Sequence, residues 1–374
     1  MDNILLSPLT IRGVTLKNRL VFAPATLGLT DDDYVGALAR IARGGAGLIV
    51  VGDVPVLPAA PGSHGPDLYS PEGTAFYRRV VEAVHAAGAK AAAQLHQSDS
   101  DIQGMMRFLP DIKAGKYTGP ELRRLLNGLT GDYITNLPLD RVQAITAAFG
   151  EAARRCAELG FDVIQVHGDR MCGSFSSTVY NARTDEYGGT PEHRARFAVE
   201  AVSAVRAAAP DLPLDYKLAV RQEHPHYGNA GVLVEELGVF VPLLERAGVD
   251  SFHVALANHG DLSDTIPPAN HPAFRGEGCF LGFCDQVRQY TALPLCGVGG
   301  LTDPDFVEAQ LASGRIQLAA LCRQLIADPD WLQKIAQGRT SDIRRCVRCN
   351  RACLGGMQSH QGVHCIYDET GAQA

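Results

Sequence analysis

Residues 74–95, TAFYRRVVEAVHAAGAKAAAQL, show the unit that decides the fold. In 74–87 the apolar residues recur at helical spacing, and 89–95 form a short apolar run typical of a buried strand. Gly88 stands between them, at the position where a helix that gives way to a strand favours glycine. The stretch therefore predicts one helix followed directly by one strand.

The same pattern repeats along the chain. Glycine also separates a helical pattern from an apolar run in ELGFD at 158–162 and in RAGVD at 246–250. Further candidate helices lie at 141–159, 193–209 and 232–247. The candidate strands are residues 20–23, 47–51, 89–95, 162–167, 214–218, 251–254, 293–297 and 317–321. Eight strand-then-helix units predict a (β/α)8 TIM barrel of the α/β class. A doubly wound sheet is the alternative, but no G-x-G-x-x-G motif follows any candidate strand.

Composition excludes several classes of protein. The chain has 374 residues, 46% of them hydrophobic and 20% charged, as expected of a soluble globular protein. A net charge of −7 argues against a nucleic-acid partner. No apolar run approaches the roughly 18 residues that a membrane span needs. The N-terminal stretch MDNILLSPLTIRG lacks the features of a signal peptide, so we predict a cytoplasmic protein.

Two stretches interrupt the strand–helix rhythm. Residues 98–138 are mixed and are predicted to form a loop, and residues 258–278 are rich in Pro, His and Gly. Both follow candidate strands, and the loops after barrel strands form the catalytic face. We therefore expect both stretches to shape the choice of substrate.

Four of the ten cysteines crowd near the C-terminus as Cys346-x2-Cys349-x3-Cys353-x11-Cys365. Four thiolates at this spacing fit a [4Fe–4S] cluster. Structural zinc and unliganded thiols are the alternatives, although zinc sites usually pair two C-x2-C knuckles and the second is missing. We expect a barrel over 1–340 and a cysteine-rich iron–sulfur segment over 341–374.

A glycine-rich stretch, GVGG at 297–300, ends the seventh candidate strand, and Arg323 follows the eighth. At this place in a barrel, glycines let backbone N–H groups approach a phosphate, and an arginine adds a charge-assisted contact. A glycine turn without a ligand is the alternative.

These segments resemble the old yellow enzyme group of FMN-dependent oxidoreductases, and in particular its iron–sulfur branch. The likeness covers nearly the whole chain. It is carried by LLSPLTIRGVTLKNRLVFAPAT, GGAGLIVVGDVPV, AAAQLH, NARTDEYGG, PLCGVGGLTDP, ALCRQLIADPDW and the terminal cysteine spacing.

The resemblance implies FMN at the top of the barrel. Gln94 is expected at the pyrimidine edge of the flavin, and Lys217 supplies the cation that the family usually provides as arginine, with Arg221 as a weaker alternative. The residues expected along the flavin ring are Pro24, Ala25, Thr26 and Gly52, and those expected around the phosphate are Gly299, Gly300, Cys322 and Arg323.

The chain departs from the family after the fourth strand. The family usually places two hydrogen-bond donors and a tyrosine proton donor here, whereas this chain reads HGDRMCGSF from His167. His167 is kept, Arg170 takes the place of the second donor, and Cys172 stands where the tyrosine is expected. His259 aligns with a histidine used in proton transfer by relatives. The alternatives are flavin packing or core packing for His167, packing in the pocket for Cys172, and a solvated loop position for His259.

The implied activity is hydride transfer between flavin N5 and a small organic substrate, either reducing an activated C=C or dehydrogenating a C–C or C–N bond. Relatives continue past the cluster into an electron-supplying module, but this chain stops at Ala374, nine residues after Cys365. We therefore expect a separate electron-transfer protein or reductase, with a purely structural cluster as the alternative. A homo-oligomer is compatible with the sequence. A non-redox barrel, acting as a lyase, isomerase or partner subunit with structural zinc, is the competing hypothesis.

Overall fold

Parallel strands form a closed barrel in the computed structural model, which describes residues 3–59, 66–226, 228–257, 261–359 and 361–369. The strands are β1 (Leu9–Ile11), β2 (Val14–Leu16), β3 (Leu20–Phe22), β4 (Leu48–Pro55), β5 (Lys90–His96), β6 (Val163–Gly168), β7 (Leu214–Arg221), β8 (Val232–Leu233), β9 (Ser251–Leu256), β10 (Leu295–Gly297) and β11 (Leu318–Leu321). All eight predicted strands are present, as β3 to β7 and β9 to β11.

The barrel runs in the order β3, β4, β5, β6, β7, β9, β10, β11, and β11 pairs with β3 to close it. Every one of these pairings is parallel. The antiparallel hairpin of β1 and β2 lies at the amino-terminal end, where Ile11, Val14 and Leu16 line a small apolar cavity inside the barrel. The predicted (β/α)8 TIM barrel is confirmed.

Helices connect and surround the strands. They are α1 (Asp31–Arg43), α2 (Pro71–Ala86), α3 (Ile102–Met106), α4 (Leu109–Lys113), α5 (Gly119–Asn136), α6 (Leu139–Glu158), α7 (Arg170–Ser176), α8 (Pro191–Ala208), α9 (Leu237–Ala247), α10 (Leu262–Thr265), α11 (Leu281–Arg288), α12 (Pro304–Ala312), α13 (Arg323–Ala327), α14 (Trp331–Ala336), α15 (Leu354–Gln358) and α16 (Ile366–Glu369). Single 3-10 turns occupy Ile4–Leu6, Val234–Glu236 and Thr340–Asp342. No helix among the described residues is long and apolar enough to cross a bilayer.

Helix α2 shows how the quoted stretch folds. The Ser70 hydroxyl caps the helix by accepting a hydrogen bond from the Gly73 amide at 3.0 Å. Phe76 and Val80 lie on its buried face and pack in the main hydrophobic core. Gly88 then takes a φ of +76°, which glycine adopts without strain, and β5 follows. The helix therefore ends where the glycine predicts.

Two sequence predictions of local structure are wrong. The helix expected over 232–247 begins only at Leu237, because Val232 and Leu233 pair with the end of β7 and form β8. Residues 98–138 were expected to be a loop but contain α3, α4 and α5. A reciprocal capping box between Thr118 and Glu121 starts α5, so a T-x-x-E signal for this helix was present in the sequence.

The C-terminal segment packs on the carboxyl end of the barrel. The Val363 amide donates to the Leu27 carbonyl at 2.8 Å, and the Cys346 amide donates to the Gln324 side chain at 2.8 Å. The Asn350 side chain also donates to the Ile266 carbonyl at 2.6 Å. These bonds place the cysteine-rich residues beside the loops that follow β9 and β11.

Candidate active site

A cavity of about 420 Å³ opens at the carboxyl ends of the barrel strands. Cofactor and ligand sites typically measure ~300–1,000 Å³, and this end of a TIM barrel carries the active site. The sequence-predicted residues that line it are Pro24, Ala25, Thr26, Gln94, His167, Arg170, Lys217, Gly299, Gly300, Cys322, Arg323, Cys346 and Cys353. Residues predicted from distant parts of the chain therefore meet in one place.

On one side of the cavity the backbone and the Gln94 amide come very close together. A Cβ atom on Gly52 would lie 2.8 Å from Gln94 Oε1 and 2.9 Å from Pro24 Cβ, distances that no side chain tolerates. Gly52 itself does not line the cavity, but its lack of a side chain lets Gln94 and Pro24 reach the cavity wall.

Lys217 extends from β7 into the cavity. It makes no hydrogen bond or ion pair with any residue that the structure describes, and burial lowers the pKa of its ammonium group. The alternative cation, Arg221, lies outside the cavity lining and bonds to Thr178 and Glu223 at 2.7 and 3.0 Å. Lys217 is therefore the strand cation that is available to a ligand.

Arg170 and His167 line the neighbouring wall, at the end of β6 and the start of α7. The Arg170 guanidinium has no hydrogen-bond or ion-pair partner among the described residues. The His167 ring meets the His96 ring edge-on, with the centroids 5.6 Å apart. Arg170 and Lys217 together give this wall two cations that can bind carboxylates or polarise carbonyl oxygens.

The opposite wall carries a glycine turn and two anchored arginines. Gly299 and Gly300 take φ angles of +115° and +67°. Arg323 donates to the Pro267 carbonyl at 3.0 Å and to Asn350 Oδ1 at 2.6 Å, and Arg348 donates to the Gly276 carbonyl at 2.7 Å. Backbone amides in a glycine turn beside two fixed guanidinium groups suit a phosphate.

One predicted catalytic residue, Cys172, does not join this group. Cys172 is 1% exposed, does not line the cavity and is in hydrogen-bond contact with the Tyr216 hydroxyl. Burial raises the pKa of its thiol to about 12, so the reactive thiolate is disfavoured. His259 falls outside the described residues, so its role stays a prediction.

Sequence reasoning missed several residues of the cavity. Asp53 and Asp169 line it together with Arg348, which stands between Cys346 and Cys349 in the sequence. Asp169 could have been noticed because it stands between the kept His167 and Arg170. Leu354 and Met357 of the C-terminal segment also form part of the wall, and no local signal in the sequence indicated this.

The four terminal cysteines line one small chamber, of about 20 Å³, next to the main cavity. Cys346 and Cys353 line both spaces, as does Arg323. The Arg348 amide donates to the Cys346 sulfur at 3.4 Å, and Arg348 and Asn350 hold φ angles of +51° and +57°. The two residues that flank Cys349 thus take a backbone conformation that non-glycine residues rarely adopt.

The spacing of the sulfurs discriminates between the two metal hypotheses. Zinc–sulfur bonds of ~2.3 Å place four tetrahedral thiolates about 3.8 Å apart. Among the described residues, the one trio of His, Cys, Asp or Glu ligand atoms within 4.8 Å of one another is not formed by cysteines. No three of the cysteine sulfurs lie within that distance of one another, so they are spread more widely than the ligands of a closed zinc site.

That trio is His226, Asp264 and His271, and both ring nitrogens of His271 are already hydrogen-bonded. His271 Nδ1 accepts hydrogen bonds from the Ala273 and Phe274 amides at 3.1 and 2.9 Å, so the proton of the neutral ring is on Nε2. Nε2 then donates to Asp264 at 2.8 Å. The trio ties the loop after β9 to the loop after β7.

These features are those of a (β/α)8 barrel enzyme. Its cavity lies at the carboxyl ends of the strands, and the glycine turn with its two arginines suits an anionic group. The comparison with known families is specific. Residues 4–342 match the NADH:flavin oxidoreductase / NADH oxidase family, and the chain belongs to it. It is a flavin-dependent oxidoreductase, and the sequence-based recognition of the old yellow enzyme group is confirmed.

Individual relatives agree with this assignment. The chain is 61% identical over 362 residues to a bilirubin reductase of Clostridium symbiosum, covering 97% of this chain and 96% of that protein. A bilirubin reductase of Mediterraneibacter gnavus is 33% identical over 97% of this chain, which spans 56% of that longer protein. The solved histamine dehydrogenase from Rhizobium sp. 4-9 shares the fold, with a TM-score of 0.78 at 24% identity over 97% of this chain and 52% of that one.

Proposed function

We propose that this chain reduces a carbon–carbon double bond of a linear tetrapyrrole such as bilirubin. The 61% identity to a protein named bilirubin reductase, over nearly the full length of both chains, supports the substrate class. The observation that carries the chemistry is one cavity that places His167, Arg170 and Lys217 next to the chamber of four cysteines.

The residues present fit FMN. The cradle of Gly299, Gly300, Arg323 and Arg348 suits its phosphate. Lys217, which bonds to no residue in the described ranges, suits its anionic reduced ring. Gln94, together with Pro24, Ala25, Thr26 and Cys322, lines the cavity and would hold the flavin ring.

The cysteine chamber fits a [4Fe–4S] cluster better than zinc, because its sulfurs are widely spaced and a backbone amide donates to Cys346. Cys346, Cys349, Cys353 and Cys365 are the ligands. When bound, FMN supplies a hydride and the cluster supplies single electrons.

Arg170 and His167 bind and orient the substrate. Bilirubin carries two propionate carboxylates and two lactam carbonyls. The Arg170 guanidinium, which has no partner among the described residues, is suited to either group. A cation on the lactam oxygen withdraws electrons from the conjugated double bond, which makes its carbon a better hydride acceptor.

The second hydrogen arrives as a proton. Cys172 stands at the family's tyrosine position but lies away from the cavity, so another group supplies this proton. We assign the role to His259, since histidine exchanges a proton near neutral pH.

Electrons enter from a separate carrier at the cysteine segment. Cys349 is exposed, and Val347 beside it is an apolar side chain with 51% exposure. Arg345 and Arg351 of the same segment are also exposed, and Arg345 pairs with Asp303. A basic rim around an apolar centre fits an acidic one-electron carrier, and steering by charge weakens as salt rises.

Anaerobically purified protein tests this proposal. We expect about one FMN and four irons per chain, and consumption of bilirubin when reduced viologen is the electron donor. Arg78→Ala, on the exposed face of α2, is a matched control that retains this turnover. Bound FMN without bilirubin consumption rejects the proposed substrate. Protein that holds zinc but no flavin rejects the FMN site and the iron–sulfur cluster as well.

A further inference from the structure

A row of four polar side chains crosses the interior of the barrel. Gln94 on β5 pairs in register with Gln165 on β6, Gln165 with Asp215 on β7, and Asp215 with Ser251 on β9. All four side chains are buried, with none more than 8% exposed. Gln94 lines the cofactor cavity, whereas the other three line the small cavity at the opposite end.

Hydrogen bonds join the row from end to end. Gln94 Nε2 donates to Gln165 Oε1 at 2.5 Å, and Gln165 Nε2 donates to Asp215 Oδ2 at 2.6 Å. Ser251 Oγ donates to Asp215 Oδ1 at 2.5 Å. The apolar core of a barrel contains few such chains, and burying polar groups is favourable only when each is satisfied.

The ionised carboxylate sets the direction of the whole row, because it can only accept hydrogen bonds. Gln165 must therefore turn its NH2 group toward Asp215, which leaves its oxygen facing Gln94. Gln94 must in turn donate to that oxygen, so its own oxygen lies toward Gly52 and the cavity wall. Reversing the Gln94 amide would set two acceptors or two donors against each other in the row.

We propose that Asp215 is a positioning residue that fixes, through Gln165, the orientation of the Gln94 amide toward the bound cofactor. This inference rests on the proposed binding of FMN. The pyrimidine edge of a flavin carries one N–H donor flanked by carbonyl acceptors. An amide in the wrong orientation would place donor against donor or acceptor against acceptor. The row thereby extends the cofactor site to a residue at the far end of the barrel.

The row also responds to pH. Burial raises the pKa of Asp215 to about 6, so the carboxylate is ionised above that pH and protonated below it. The titratable groups around it are Lys217 on its own strand, His253 on β9, whose pKa is lowered to about 3, and Cys296 on β10. A protonated Asp215 can donate to Gln165, so the fixed orientation is lost as the pH falls through 6.

FMN binding to reconstituted protein tests the proposal. We expect Asp215→Asn to weaken the affinity for oxidised FMN about tenfold at pH 8, since the asparagine no longer dictates the direction of the row. If only one redox state of FMN is affected, the midpoint potential shifts by about 30 mV, the equivalent of tenfold for two electrons. The matched control is Ser251→Ala, which removes a bond from the same carboxylate on the side away from Gln94 and is expected to stay within twofold.

The pH dependence gives a second readout. The FMN phosphate itself titrates near pH 6, so the dissociation constant of Asp215→Asn is divided by that of the native protein at each pH. The two constants should become equal by pH 5. If Asp215→Asn does not fold, Gln165→Met interrupts the same row and should weaken FMN binding equally. Native-like affinity and potential in a folded variant overturn the inference. A native protein that binds no FMN overturns the proposed function instead.

Discussion

The cations on the two walls of the cavity differ in whether they are hydrogen-bonded to the protein. On the cradle wall, Arg323 and Arg348 are anchored to backbone carbonyls and to Asn350. On the facing wall, Arg170 and Lys217 have no hydrogen-bond or ion-pair partner among the described residues. Anchored cations form a site that is ready for a constant group such as a phosphate. Unpartnered cations are available to the ligand that arrives, so the facing wall decides the chemistry.

One of the anchors and one of the two arginines come from the cysteine segment. Asn350 orients Arg323, and Arg348 itself belongs to the loop that carries Cys346 and Cys349. The segment that we assign to the cluster therefore also completes the cofactor cradle. A change in one site is expected to reach the other.

Replacing a cluster ligand should have the largest effect. We expect Cys349→Ser to reduce turnover with a one-electron donor to the level of the protein-free control, because the cluster is lost or its exposed edge is disabled. Iron content and turnover are measured on the same sample. Cys284→Ser, a buried thiol on α11, is the control and should keep its iron. Full turnover by Cys349→Ser would place the cluster off the electron path.

Removing the unpartnered guanidinium should be next in size. Arg170→Ala is expected to lower kcat/KM for bilirubin about 100- to 1,000-fold, the loss typical of a donor that stabilises developing charge. Arg170→Lys should recover part of this, since lysine keeps the charge but not the fork. FMN content should remain native. An equal loss in FMN content would move Arg170 to the cofactor.

The proton step is expected to come third. His259→Ala should slow bilirubin reduction by pre-reduced protein about 100-fold, the usual contribution of a general acid. Rapid-mixing measurement of a single turnover reports this step alone. An unchanged rate rejects His259, and Asp169 would then be examined because it lines the cavity.

An anchored arginine should affect the cofactor rather than the substrate. Arg348→Ala is expected to weaken FMN binding about 10- to 100-fold, the worth of one charge-assisted bond. Arg345→Ala is the matched control, because Arg345 pairs with Asp303 outside the cavity. Fluorescence titration with FMN separates the two variants. Equal affinity in both would remove Arg348 from the cradle.

The smallest expected effect is a gain in stability. Burial lowers the pKa of Lys217, because removal from water disfavours its charged form. Without a ligand, the buried charge therefore destabilises the fold. Lys217→Met should therefore raise the melting temperature of the FMN-free protein by about 2 °C. Lys90→Met, which removes a lysine paired with Asp162, should give no gain. A lower melting temperature for Lys217→Met would contradict the claim that this buried charge destabilises the FMN-free protein.

The sequence predicted the barrel because each strand is a short apolar run that glycine separates from a helix, and those signals are local. It also predicted most of the cavity lining, from Pro24 to Arg323, through the family resemblance. It could not reveal that Arg348 reaches the cradle or that Cys172 turns into the core, since both depend on how distant segments pack. Gln165 and Asp215 were missed because their hydrogen-bond partners lie on neighbouring strands that are distant in the sequence.

A single turnover under anaerobic conditions tests the central claim most directly. Protein is fully reduced, freed of excess reductant and mixed with bilirubin, and the tetrapyrrole is analysed by mass spectrometry. We predict one product molecule per bound FMN, heavier than bilirubin by two hydrogens. Bilirubin recovered unchanged from protein that holds reduced flavin would contradict the account.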